Sequence, residues 1–420
     1  MSGRCAAVVV LTVVVAGSAL PRAWSQAPAA SQAVAEFVQS RGGKISYGPG
    51  GDIVGIDFTG KEVSDADVKQ FAQLEKLERL SLWGALITDA AVDSLLELPL
   101  KELGLENTDL TNAGLEKVAQ IKSLESLNLR RCVLVTDDGI GVLAKLPKLQ
   151  RLMLLYTNLG DGALAQAKTI PTLRLLDMRG CVLVTDDGLK EITGLQNVVS
   201  LKLRCPSVTD EGVKAIAQLK KLRSVALEDA QITNEALAIL AGNLKDLDEL
   251  YLLRTNVSDA GLAPLAASSK LKRLELRGTA IEGPGLAALA NLKNLRVLDL
   301  AETQANDEGA AHLAGLTGLE RLDLWNTRVT DVGLASLKGL TNLKFLVLDG
   351  LKISDDGLAA LADMKGLQSL NLSNTPITDK GLAQVAGLAA LKEIDLRFTQ
   401  VTDQGVQTLQ QALPEAKIRH

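Results

Sequence analysis

Apolar residues recur along this chain with a period far longer than that of a helix or a strand. From Ile53 onward one unit of 24 residues repeats, with a few one-residue insertions. Its first apolar position falls at Ile53, Leu77, Leu100, Leu124, Leu149, Leu173, Val198, Leu222, Leu247, Leu271, Leu295, Leu319, Leu343, Leu367 and Leu391. Two neighbours show the pattern: LERLDLWNTRVTDVGLASLKGLTN from Leu319, then LKFLVLDGLKISDDGLAALADMKG from Leu343. A register held through fifteen units means that repeats, not independent globular domains, set the architecture.

Each unit predicts one short strand, a turn and one helix. Apolar residues at positions 1, 4 and 6 (Leu319, Leu322, Leu324) alternate as a strand with one buried face requires. Position 9 is usually threonine, as at Thr108, Thr255 and Thr375, where a short hydroxyl can satisfy turn backbone buried between neighbours. Position 12 is Ser or Thr (Thr330, Ser354, Thr402), a helix N-cap, and the Asp that follows suits the positive end of the helix dipole. Leucines at positions 16 and 19 (Leu334, Leu337) then turn inward over the strand. No unit can bury its own apolar edge, so stability must come from stacking. The expected fold is an α/β solenoid, a curved horseshoe with a parallel β-sheet on the concave face and helices on the convex face. The pattern divides the chain into residues 1–25, a cap at 26–52 made of a helix and a strand, the solenoid at 53–414, and an end strand at 415–420.

Composition sharpens this picture at the N-terminus. Arg4 precedes an apolar run from Cys5 to Leu20, and Ala23-Trp24-Ser25 offers the small-x-small pattern of a signal-peptidase site before Gln26. The run is short for a membrane span, which needs roughly 20 residues, and no later segment could span. An exported protein is expected, in the periplasm, the cell envelope or the medium. Beyond Cys5 only Cys132, Cys181 and Cys205 remain, an odd number that argues against a disulfide framework. Cys132 and Cys181 take the position-9 slot. Cys205 lies one unit further on, in a slot expected to point differently, so free thiols are expected. The net charge of −5 with no basic block excludes a nucleic-acid tail.

The unit L-x-x-L-x-L-x-x-[TC]-x-x-[IV]-T-D-x-G-L, seen at Leu124 to Leu129 with Cys132 and Val135 to Ile140, resembles the leucine-rich-repeat superfamily. Within it the sequence is similar to the cysteine-containing, ribonuclease-inhibitor-like subtype, and its uniform units resemble exported bacterial arrays. The resemblance covers about residues 53 to 413 and implies protein or ligand binding on the concave face, with no catalytic residues. Eukaryotic members of the subtype often serve as F-box ubiquitin-ligase adaptors, but no F-box-like segment is present here.

No catalytic constellation emerges. The histidines are His312, on an outer helix position, and His420, and there is no HExxH, CxxC pair, P-loop or G-x-S-x-G. The recurring Asp after Thr is read as helix capping rather than as calcium ligation. No enzyme, cofactor or metal is therefore expected. What does emerge is a bias at the positions that face the concavity, 3, 5, 7 and 8. Eleven of the seventeen arginines after residue 25 fall there, against one of twenty-six lysines, together with six of the ten aromatics. Enriched arginine and aromatics with depleted lysine mark protein interfaces. The candidate partner-binding residues are Trp83, Arg130, Arg131, Arg151, Tyr156, Arg179, Lys202, Arg204, Tyr251, Arg321, Trp325 and Phe345. The stretch from Arg130 to Arg204 reads as a basic patch suited to an acidic protein or an anionic polysaccharide. Trp325 and Phe345 with Val347 read as an apolar anchor. A protein partner leads, a carbohydrate or cell-envelope ligand follows, and nucleic acid is not expected.

Overall fold

The alternation at positions 1, 4 and 6 becomes, in the computed structural model, a strict strand register. The structure describes residues 29–420; the expected export signal, its cleavage position and Cys5 lie outside the described residues. The chain divides into two units, one ending at Asn158 and one spanning Leu159–His420.

In the first unit, Lys44–Tyr47 pairs antiparallel with Ile53–Asp57, which opens a parallel series through Arg79–Trp83, Glu102–Glu106, Ser126–Asn128 and Arg151–Met153. The helix Ala29–Ser40 sits at the start of this series. Its Phe37 forms a triad with Phe58 and Phe71, ring centroids 6.0–6.3 Å apart. These three are a large share of an aromatic-poor chain, placed where the first repeat has no preceding neighbour to cover it.

The second unit is parallel throughout, from Leu175–Arg179 to the last strand, Lys417–Arg419. Position 4 stacks on position 4 of the next repeat: Leu250, Leu274, Leu298, Leu322, Leu346, Leu370 and Ile394 align in one buried row. Because side chains alternate along a strand, positions 3 and 5 must then face away from the helices, on an open face of the sheet.

The strand exits are built alike. Position 8 adopts the left-handed backbone in fourteen of the fifteen repeats, at glycine in Gly60, Gly84, Gly180, Gly278 and Gly350 and at nine non-glycine residues elsewhere. The exception is the Val198 repeat, which is one residue short at this point. There Cys205, the eighth residue, takes the slot that Cys132 and Cys181 hold as ninth residues. All three are buried free thiols. Cys205 and Cys132 both point their sulfur at a carbonyl of the preceding repeat, Met178 and Leu105. The expectation that the Cys205 slot points differently is thus corrected: the deletion, not a change of direction, moved the cysteine in the sequence. Burial pushes the Cys205 thiol up to about 12, which keeps it protonated and inert. In eight other repeats the slot holds threonine. All eight position-9 threonine hydroxyls donate to the carbonyl three residues back, at 2.5–3.2 Å.

The helix starts carry more than a cap. The Asp after the N-cap reaches the next repeat and accepts from both the backbone N–H and the hydroxyl of that repeat's N-cap. Asp307 does so from Thr330 at 2.7 and 2.7 Å, and Asp331 from Ser354 at 2.8 and 2.5 Å. Nine repeat pairs share this double bond, and Asn112 and Asn234 reproduce it with an amide. The glycine of T-D-x-G makes room for it: a Cβ on Gly357 would stand 2.0 Å from Asp331 Oδ1. The motif is an inter-repeat clamp, and dipole compensation is its lesser part. No helix of the described residues is long and apolar enough to cross a membrane.

Candidate functional site

The candidate residues stand on the open face or at its exits. In the first unit, Trp83 at the end of its strand is half-buried, in register with Glu106. Arg151 bridges to Glu102 at 2.8 Å. Arg130 and Arg131 both lie over the ring of Tyr156, at 5.5 and 5.7 Å to its centroid. Arg130 approaches Glu106 only at 3.9 Å, and its buried Nε has no hydrogen-bond partner.

In the second unit, Arg179 is held by Asp177 (Nη2 to Oδ2, 2.8 Å) and reaches Glu228 at 3.6 Å. Arg204 and Arg254 both pair with Asp229. Tyr251 donates to Glu249 at 3.1 Å, with Arg273 over its ring at 6.0 Å. Arg277 pairs with Glu302 at 2.8 Å and lies over Trp325 at 4.6 Å, and Arg321 lies over Phe345 at 5.7 Å. Lys202 has no ion pair within 4 Å among the described residues.

These pairings correct the reading of Arg130 to Arg204 as a basic patch. At positions 3, 5, 7 and 8 of the fifteen repeats, fourteen acids stand beside twelve bases. Most of the arginines are spent on those acids, in cross-strand and same-strand pairs. Each pair, at the surface, contributes little, about 0–1 kcal/mol. Arginine is favoured over lysine here because its planar fork serves two acids, or an acid and a ring, at once. Among the described residues Arg79, Arg131, Lys202 and Arg321 carry no ion pair within 4 Å, and they are the cations of these positions with charge to spare.

The acids were the residues that arginine counting overlooked, although the same four positions display them. Several have a second task. Asp or Asn at position 5 accepts the N–H of position 7, as Asp299 does from Ala301 at 2.8 Å and Asp323 from Trp325 at 3.0 Å, which turns the chain out of the strand. Asp299 and Asp323 are register partners on adjacent strands. Burial, with Asp323 and Glu275 alongside, pushes the Asp299 carboxyl up to about 6, and burial raises Asp323 in the same direction. Burial likewise raises Glu228 against the pull of Arg179 and Arg204.

Aromatics close the inventory. Phe345 is exposed, Trp325 on the neighbouring repeat is half-buried four positions further along the sheet, and Phe398 at a strand exit is 79% exposed. Large side chains also occupy the left-handed position 8, namely Arg131, Tyr156, Arg254, Glu302 and Phe398. Among the described residues no group of three or more His, Cys, Asp or Glu could hold a metal ion.

Comparison with known proteins follows the repeats. One family model, described as leucine rich repeat, matches residues 317–377. A second model of that description matches residues 120–144, 169–192, 267–290 and 390–409. No curated protein matches the chain. Among solved structures, an internalin, InlF, from Listeria monocytogenes is similar at 22% identity and a TM-score of 0.56, over 72% of this chain and 82% of that one. A chain of the mouse RP105/MD-1 complex is similar at 19% identity and a TM-score of 0.55, over 82% of this chain and 59% of that one.

Proposed function

We propose that this chain, whose repeats match leucine-rich-repeat models at residues 317–377 and four shorter segments, is a non-catalytic scaffold that binds a protein partner across the open face of its sheet. Solenoids of this kind present a long, nearly rigid surface on which varied side chains can be mounted without disturbing the fold. The observation that carries the reading is what stands at position 8. The left-handed backbone costs a residue with a Cβ about 1–2 kcal/mol, and glycine or asparagine fills the position in eight repeats. Tyr156 holds it with a ring that lies under Arg130 and Arg131, and Phe398 holds it with a ring 79% exposed. At that exposure the Phe398 ring repays folding little for the strained backbone; a partner repays it more, because rigidly held aromatics make low-entropy anchors.

Export is part of the proposal and rests on Arg4, the apolar run to Leu20 and Ala23-Trp24-Ser25. The resemblance of its uniform units to exported bacterial arrays supports it. An anionic polysaccharide fits less well than a protein, because a polyanion would have to displace the face's own carboxylates from its arginines.

The test is a crosslinking capture from the native cell envelope and medium with three forms of the full chain. One is wild type, one carries Arg131→Ser, Phe345→Ser and Phe398→Ser on the face, and one carries Val332→Ser on the helix side. A protein captured by wild type and by the helix-side variant, and lost from the face variant, supports the reading. Equal capture by all three, or loss confined to the helix-side variant, overturns it.

A further inference from the structure

The face of the repeats from Leu271 to Leu343 carries an apolar strip and an unbalanced charge side by side. Val297, Trp325, Phe345 and Val347 each show part of their surface. Arg321 and Phe345 are register partners, as are Asp323 and Val347, so the strip and the carboxylates run through the same few square nanometres of sheet.

The charges on this strip do not cancel. Arg273 neutralises Glu275 at 2.9 Å, and Arg277 neutralises Glu302 at 2.8 Å. Asp299, Asp323 and Asp349 have no ion pair among the described residues; Asp349 accepts only the neutral amide of Asn374, at 2.7 Å. Arg321, lying over Phe345, is the one cation of the strip without an acid within 4 Å. Asp299 and Asp323 stand directly opposite each other on neighbouring strands, an arrangement of like charges that costs stability. Each uses one oxygen to accept a backbone N–H, at Ala301 and at Trp325. Phe345 and Trp325 flank this row, two positions to either side of it along the strands; Arg321 and Arg277 already lie over their rings, so what the two aromatics offer a partner is apolar surface.

We propose that this strip receives a protein segment presenting a lysine or arginine beside apolar residues, the cation seated between Asp299 and Asp323 and the apolar neighbours against Trp325 and Phe345. The inference rests on the protein-binding reading above and adds the partner's chemistry. An acidic segment would meet three carboxylates without an ion pair, against which Arg277 and Arg321 act only from beyond 4 Å. A bare metal ion would find only two carboxylates side by side, each already turned to a backbone amide. A basic side chain supplies the missing countercharge and covers apolar surface in the same step. Its arrival would also draw the Asp299 carboxyl back down, against the burial and the Asp323 and Glu275 charges that now raise it; Arg277 is the cation facing it from the neighbouring strand.

A random peptide library displayed on phage, selected on the purified full chain at pH 7.5, tests this. Enriched peptides are then titrated by fluorescence anisotropy against wild type, Asp299→Asn/Asp323→Asn and Trp325→Ala/Phe345→Ala, with melting curves to confirm that each variant is folded. The expected result is a consensus of Lys or Arg flanked by apolar residues. Affinity is expected to fall about tenfold or more in each double variant, and to fall at pH 5 for wild type but not for Asp299→Asn/Asp323→Asn. Basic peptides that bind Asp299→Asn/Asp323→Asn as tightly as wild type overturn the proposal, as does the absence of any enriched sequence. An acidic consensus that still depends on Trp325 and Phe345 overturns the cationic partner while leaving protein binding on this face intact. Peptides indifferent to both double variants count against both readings.

Discussion

Changing Asp331 and Gly357 singly and together tests whether the T-D-x-G motif joins repeats or only starts helices. Asp331 opens one helix and accepts from the N–H of Ser354, in the next repeat, at 2.8 Å and from its hydroxyl at 2.5 Å. Two such bonds to a carboxylate, partly screened at a half-buried site, contribute about 2–3 kcal/mol, so Asp331→Ala is expected to cost that much. Gly357→Ala puts a Cβ 2.0 Å from Asp331 Oδ1 and 2.6 Å from its Cγ, which evicts the carboxylate. The same bonds are lost, and the gain of about 1 kcal/mol from replacing glycine in a helical turn offsets only part. In the double variant the obstacle is gone, because Asp331→Ala leaves no carboxylate to displace. The two losses therefore do not add: the double variant should be no less stable than Asp331→Ala alone, a coupling of about 2 kcal/mol. Urea unfolding of the full chain gives the energies, and hydrogen exchange over Gly357–Leu361 locates them. Losses that add to within about 0.5 kcal/mol would refute the clamp and restore the simple cap.

Two further substitutions probe the open face. Phe398→Gly relieves a left-handed backbone (φ 61°) at a ring 79% exposed. The relief is offset by glycine's greater freedom when unfolded, so stability should hold or rise by up to about 1 kcal/mol; a drop beyond about 1 kcal/mol in urea unfolding would mean the ring is structural. Asp299→Asn should stabilise the protein near neutral pH, with the gain vanishing in acid. The folded carboxyl, at about 6 against an ordinary 3.8, binds a proton that the unfolded chain has released. Stability contributed at this site is therefore lost as pH rises through that window and stays lost above it. The shift sets an upper bound of about 3 kcal/mol, which solvent screening reduces. Melting curves of the two proteins that run parallel from pH 4 to 7.5 would show that Asp299 is solvated.

The solenoid was legible because its signals are local and recur in phase: the 1–4–6 alternation and the Ser or Thr cap. The left-handed turn at position 8 went unread, although Gly or Asn fills it in eight repeats; Tyr156 and Phe398 there give no hint of it by type. The inter-repeat role of Asp331 was hidden because its partner lies 23 residues on, although the fixed phase of T-D-x-G displayed the geometry in advance. Cys205 was misplaced because a one-residue deletion shifts the count without shifting the slot. The face was half legible. Arginine and aromatic enrichment could be counted, but whether Arg179 is free or held by Asp177 depends on rotamers and neighbours that periodicity does not encode.

The two sides of the repeat place different demands on sequence. At the helix starts the polar groups of the motif are spent on the next repeat, and the residues are much alike from one repeat to the next: Thr330 resembles Thr378, and Asp307 resembles Asp355, because the clamp accepts little else. On the open face folding asks for little more than a tolerant backbone at position 8, and in about half of the repeats a short acceptor at position 5. Asn371 and Asp323 meet the first demand equally well, and Asn374 and Phe398 both adopt the second. The choice of Asp where Asn would serve leaves Asp299 and Asp323 opposed and partly desolvated. The choice of Phe where Asn or Gly would serve leaves a ring in water on a strained backbone. Both choices cost stability of order 1 kcal/mol apiece, and they fall on the same surface. A sheet face shaped by folding alone would resemble the repeat at Leu367, with Ser369, Asn371, Ser373 and Asn374. The repeats around it depart from that quiet solution in charge and in aromatic surface together, which is what a bound protein segment would require of them.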